Sequence, residues 1–218
     1  QRRKPVTIAQ VPRQLIDAFL AAEDSRFFEH PGVDIKGLTR ASIELISTGS
    51  IQSGGSTITM QVAKNYFLSK EKTFSRKFNE ILLAFKIEQE LSKEEILELY
   101  FNKIYLGNRA YGIEAAANVY YGKSLRELTL AENAMIAGLP KAPSRYNPLA
   151  SPARAVIRRN WILDRMLELR MVDESEHAKA AAEPSTASYF GTQPEVDAPF
   201  VAEMARQEVL DLLGPEAY

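Results

Sequence analysis

Apolar residues recur at intervals of three and four along nearly the whole chain, the spacing of one helical face and not of a strand. The pattern predicts an all-α protein. From Val11 to Asp24 the residues Leu15, Ile16, Phe19, Leu20 and Ala22 share a face, and Pro12 sits in the first turn, where a missing amide hydrogen is harmless. Ser92 with Glu95, Thr129 with Glu132 and Asp173 with Glu176 have capping-box spacing, in which two side chains satisfy helix-start amides reciprocally. Ser151-Pro152 opens a long helix reaching about Arg170. Asp197 opens a last helix that Gly214-Pro215 closes. No alternating run of strand length and no internal repeat interrupts this.

Two segments change the picture. A short helical pattern, Ile35 to Ile46, passes into Ser47-Thr48-Gly49-Ser50 and Gln52-Ser53-Gly54-Gly55. Clustered Gly and Ser predict a loop over 47–55, either a plain connection or a mobile flap over a cleft. The other segment is Arg76 to Glu88. There Phe78, Ile81, Leu82 and Phe85 form one apolar face, and Leu83, Ile87 and Leu91 a second. Apolarity on two sides predicts a helix central to the core. Between the faces runs a narrow stripe of Lys77, Glu80, Ala84 and Glu88, whose charged groups need partners, either one another or a ligand.

Candidate chemistry lies on these elements. Glu23 follows Phe19 by four positions, so a carboxylate shares the apolar face of the first helix. Such a group is either paired for structure or tuned in proton affinity by burial. The turn after it, with Phe27, Phe28, His30, Pro31 and Gly32, would fix it at the rim of a cleft. Gly55-Ser56-Thr57 at a helix start offers amides and hydroxyls to an anion, while Gln61 and Lys64 share a face of that helix. Lys64, Lys70, Lys72, Arg76, Lys77 and Lys86 stand against only Glu71 and Glu80, a local excess of cations that suits a phosphate partner.

Composition sets outer limits. With 218 residues the chain suffices for one domain and an appendage. A net charge of -1 excludes a globally basic nucleic-acid binder, and the absence of cysteine excludes disulfides and thiolate metal sites. No apolar run approaches the ~20 residues of a membrane span. The opening Gln1-Arg2-Arg3-Lys4, without a methionine, reads as part of something longer. Gly122-Lys123-Ser124 is not a phosphate loop, because Ala117 stands where a glycine is required.

Glu23-Asp24-Ser25-Arg26-Phe27-Phe28-Glu29-His30-Pro31-Gly32 resembles the first motif of the peptidoglycan glycosyltransferase domain of class A, bifunctional penicillin-binding proteins. Four further blocks follow in that family's order: 55–65, 76–88, 95–123 and 132–148. The resemblance implies a lysozyme-like helical domain with a mobile flap over an extended cleft. It assigns 1–183 to that domain and 184–218 to a connector and helix leading toward a transpeptidase domain. It implies polymerisation of lipid II into β-1,4-linked glycan chains with release of the lipid pyrophosphate. Glu23 would be the base that activates the acceptor 4-hydroxyl, and Glu80 would orient lysines or hold a divalent cation, Mg2+ or Mn2+, on the pyrophosphate. Lys64 and Lys77, with Lys72 and Arg76, would stabilise the leaving group. Gln61, Ser56, Thr57 and Asp24 complete the expected substrate site. Relatives often carry arginine where Lys72 aligns, and lysine lacks its bidentate geometry. Lipid II, the growing glycan strand, a membrane surface and other cell-wall proteins are the implied partners. The implied place is the periplasmic face of a bacterial inner membrane, with an anchor upstream. Two alternatives remain open: a lysozyme-like peptidoglycan hydrolase and a non-catalytic membrane-surface scaffolding module.

Overall fold

The caps read from the sequence start the helices they were expected to start. In this computed structural model, which describes residues 5–37, 39, 56–68, 74–191, 203, 204 and 207–209, Ser92, Thr129 and Asp173 each accept the amide of the residue three ahead. The main helices of the described residues are α1 (Arg13–Glu23), α2 (Ile58–Phe67), α3 (Phe74–Glu90), α4 (Lys93–Lys103), α5 (Ile113–Tyr121), α6 (Leu130–Ala137), α7 (Pro152–Glu168) and α8 (Glu174–Ala182), with short 3-10 turns at Ile8–Gln10 and Leu125–Glu127. Among them there is no strand, only one antiparallel bridge between Tyr105 and Tyr111. The all-α expectation holds. Pro12 is the N-cap of α1, so that helix begins two residues later than its apolar pattern.

Helix α1 packs on α6 and α7, α2 packs on α3 and α4, and α8 closes on α7. At the centre, Phe19 meets Tyr100 and Phe101 edge-on at centroid distances of 5.9 and 5.2 Å. All three rings are fully buried, an aromatic joint between α1 and α4. Beyond α8 the chain turns back along α5, where the Ser188 amide donates to the Tyr120 carbonyl and that of Phe190 to Val119. The segment after α8 therefore lies along α5 as far as Phe190. The loop at 47–55, expected as a flap, and most of the expected closing helix lie outside the described residues.

Helix α3 corrects the sequence reading. It was expected to bury two apolar faces, yet Phe78 and Leu82 are 61% and 52% exposed. What it buries is the stripe: Glu80 at 3%, Ala84 at 0% and the adjoining Ile87 at 8%. The reason is the turn after α1. Gly32 has φ +92, and a Cβ there would stand 2.8 Å from the Ala84 carbonyl oxygen, so this turn lies directly on the small residue of the stripe. Glu80, one turn before Ala84, is buried against Arg76 and Lys77, Ile81 and Phe85 are partly buried beside Ala84, and Phe78 and Leu82 are left outside.

Candidate active site

Glu23 is the last residue of α1, and Asp24 caps it. The two carboxylates face different tasks. Asp24 is buried and accepts from the His30 ring (Nε2 to Oδ1 2.9 Å) and from the Ile58 amide (3.0 Å). It thereby ties the first turn of α2 to the turn that follows α1. Thr57 completes this tie, donating to the Gly32 carbonyl at 2.5 Å and accepting from the Met60 amide at 3.2 Å.

These contacts revise two expectations. Asp24 and Thr57 were expected to contact substrate, but both are buried and their polar atoms are engaged within the fold. They position the site from behind. The helix-start amides expected to be free for an anion are partly taken in the same way: Ile58 donates to Asp24 and Met60 to Thr57.

Glu23 is only partly buried, and the Gln61 side-chain amide donates to its Oε2 at 2.9 Å. Burial pushes its carboxyl above the usual range. The Gln61 hydrogen bond and the charges of Arg158, Lys141 and Lys64, in that order, pull it back. Lys64 is exposed on α2, one turn beyond Gln61. Arg158 and Lys141 were not singled out in the sequence. The available signal was on α7, where Arg158 and Arg159 interrupt an apolar face of Ala155, Ile162, Leu163 and Met166.

The stripe of α3 forms the second part of the site. Lys77 donates to Ser56 Oγ at 2.6 Å and to Glu80 Oε2 at 3.0 Å. Arg76 Nε lies 3.2 Å from Glu80 Oε1. Lys77 remains 45% exposed in its side chain, so its ammonium is held from below by a buried carboxylate and open above. Further along, Glu88 accepts from Thr59 (2.5 Å) and Lys93 (2.8 Å), and Lys93 also reaches the His30 carbonyl (2.7 Å). Lys72 lies outside the described residues. Gln61 with Glu23, and Ser56 with Lys77 and Glu80, are thus brought together by three elements that meet at the start of α2.

An expected divalent cation has no protein cage among the described residues. No three carboxylate or histidine side chains converge there, and both Glu80 oxygens already face cations. Residues with that engagement do not suit a metal-ligand role.

Comparison with known proteins finds relatives over the whole chain. The family model described as Transglycosylase matches residues 1–167. Penicillin-binding protein 1A of Pseudomonas aeruginosa is 62% identical over 217 residues, covering 100% of this chain and 26% of that protein. Penicillin-binding protein 1A of Neisseria meningitidis serogroup A is 54% identical over 218 residues, covering 100% of this chain and 27% of that protein. The crystal structure of Penicillin-Binding Protein 1A from Haemophilus influenzae aligns with a TM-score of 0.61 at 38% identity, over 99% of this chain and 22% of that one. The chain thus spans about a quarter of the length of these relatives. It belongs to the transglycosylase family.

Proposed function

We propose that the chain is a peptidoglycan glycosyltransferase that extends β-1,4-linked glycan strands from lipid II. The observation that carries this reading is Glu23, held by the Gln61 amide and facing the charge of Lys64, beside a helix start where Ser56 meets the Lys77 ammonium. In the reaction the 4-hydroxyl of the acceptor sugar attacks the anomeric carbon of the donor. The new C1–O4 bond forms as the C1–O bond to the lipid pyrophosphate breaks, with inversion. Glu23 takes the hydroxyl proton, and the departing pyrophosphate takes the electron pair. Lys77, steadied by Glu80 and Ser56, and exposed Lys64 supply positive charge where the leaving group develops its own negative charge.

A membrane surface is the proposed working place. Phe78 and Leu82 stand one turn apart on the exposed flank of α3, and Phe28 and Ile35 are 50% and 66% exposed beside the catalytic turn. Apolar side chains beside a cationic site suit the headgroup region that presents a lipid-linked pyrophosphate. No helix of the described residues is long and apolar enough to cross a membrane. The proposed location is the periplasmic face of a bacterial inner membrane, with other cell-wall synthesis proteins as partners.

The raised proton affinity of Glu23 favours one other reading, a hydrolase in which a protonated Glu23 acts as general acid. One experiment separates them. Full-length protein is incubated with lipid II, and products are resolved with and without a muramidase. Polymerisation lost in Glu23→Gln supports the transferase. Shortening of preformed glycan without polymerisation supports the hydrolase. Absence of both supports a scaffolding role.

A further inference from the structure

Helix α7 buries two adjacent arginines, and their surroundings differ. Arg159 is fully engaged: Nη1 donates to the Glu183 carbonyl (2.6 Å), Nη2 to Ala181 (3.0 Å) and Nε to Asn160 (2.9 Å). It terminates α8 and needs no other role. Arg158 is 6% exposed, yet it enters none of the ion pairs among the described residues, and its buried Nε has no hydrogen-bond partner there. Its guanidinium lies 4.2 Å over the Trp161 ring and 6.0 Å from the Tyr146 ring. Gly138 makes room for its stem, since a Cβ at that position would stand 3.0 Å from Arg158 Cγ.

A buried cation without an ion pair is unfavourable, and stacking on aromatic faces offsets only part of that. The charge that most supports Arg158 is Glu23, and Arg158 is the strongest of the cations acting on Glu23. The other two, Lys64 and Lys141, are solvent-exposed and screened by salt. We propose that Arg158 is a positioning residue for glycosyl transfer, a buried cation clamped on aromatic rings in α7, the helix that packs on α1, and that it keeps the Glu23 base negative until substrate arrives. This rests on the assignment of Glu23 as the base. The groups facing Glu23 are Gln61 and Lys64 from α2, Tyr100 from α4, Lys141 from the turn after α6, Arg158 from α7 and Asp24 beside it. Of the cations in that set, Arg158 alone is both buried and fixed.

The test is the pH profile of lipid II polymerisation by full-length protein carrying Arg158→Met, Arg158→Gln or Arg158→Lys. Either neutral variant should move the acid limb of kcat/KM to higher pH, a loss of about tenfold on that limb per pH unit moved, with activity recovering on the alkaline plateau. Arg158→Gln serves if Arg158→Met does not fold. Arg158→Lys should keep the limb near that of the wild type. A uniform fall at all pH values, or an equal displacement by Lys, would make Arg158 a packing residue and overturn the proposal. A wild-type protein that does not polymerise lipid II would refute the enzyme assignment instead, and the two failures are distinguishable.

Discussion

The Asp24 carboxylate accepts the amide of Ile58, a residue 34 positions away, at 3.0 Å. One side chain therefore joins the end of α1 to the start of α2 and sets where Glu23 and Gln61 meet. Asp24→Ala should leave the Ile58 amide and the His30 ring without this partner, costing about 1–3 kcal/mol. For a chain of this size each kcal/mol corresponds to about 2–4 °C in Tm. A melting curve that superposes on the wild type would remove the tie from the account.

Glu23 carries a stability signature of opposite sign. Its carboxyl is raised in the folded state, chiefly by burial, so the folded protein binds the proton more tightly than the unfolded one. Stability from this group is present below the usual glutamate pKa of about 4.3 and is lost as pH rises through the folded value. Glu23→Gln should abolish polymerase activity while being as stable as the wild type at low pH and more stable at neutral pH. Denaturant melts of both proteins at several pH values check this. A Gln variant less stable at neutral pH would contradict it.

Lys77→Ala should stop turnover and leave the fold in place. Arg76 still faces the buried Glu80 carboxylate when the half-exposed Lys77 ammonium is gone, so that charge is not left unpaired. The measurement is lipid II polymerisation alongside circular dichroism. Retained activity would remove Lys77 from the leaving-group site, and loss of the helical spectrum would make it structural.

Tyr100 offers a subtler test. Its ring is fully buried, and its hydroxyl has no hydrogen-bond partner among the described residues. Burial, with Glu23 and Asp24 nearby, holds that hydroxyl far above its ordinary pKa, so it stays protonated. Tyr100→Phe removes a buried polar atom that gains nothing in return, and Tm should be unchanged or higher. A loss above about 1 kcal/mol would mean that the hydroxyl has a partner.

Local signals in the sequence carried further than global ones. Capping boxes at Ser92, Thr129 and Asp173 are contained within four residues, so nothing distant overrides them. Glu23 was legible because a carboxylate on an apolar helical face is anomalous on any packing. The orientation of α3 was not, since a wheel with two apolar sides does not say which side meets the protein. That depended on Gly32, more than forty positions before the start of the helix. Asp24 and Thr57 were assigned to substrate because residue type shows what a group can bind, not what already occupies it. Arg158 stood in plain view, but its value depends on Trp161, Tyr146 and Glu23 converging from three parts of the chain.

The exposed pair Phe78 and Leu82 on α3 has a consequence for anyone altering this protein. In a library selected only for folding, tolerance at three positions of α3 should run against hydropathy: Phe78 and Leu82 would accept polar replacements, while buried Ala84 would accept almost nothing larger than itself. Engineering for solubility can start on the flank that looks most like core.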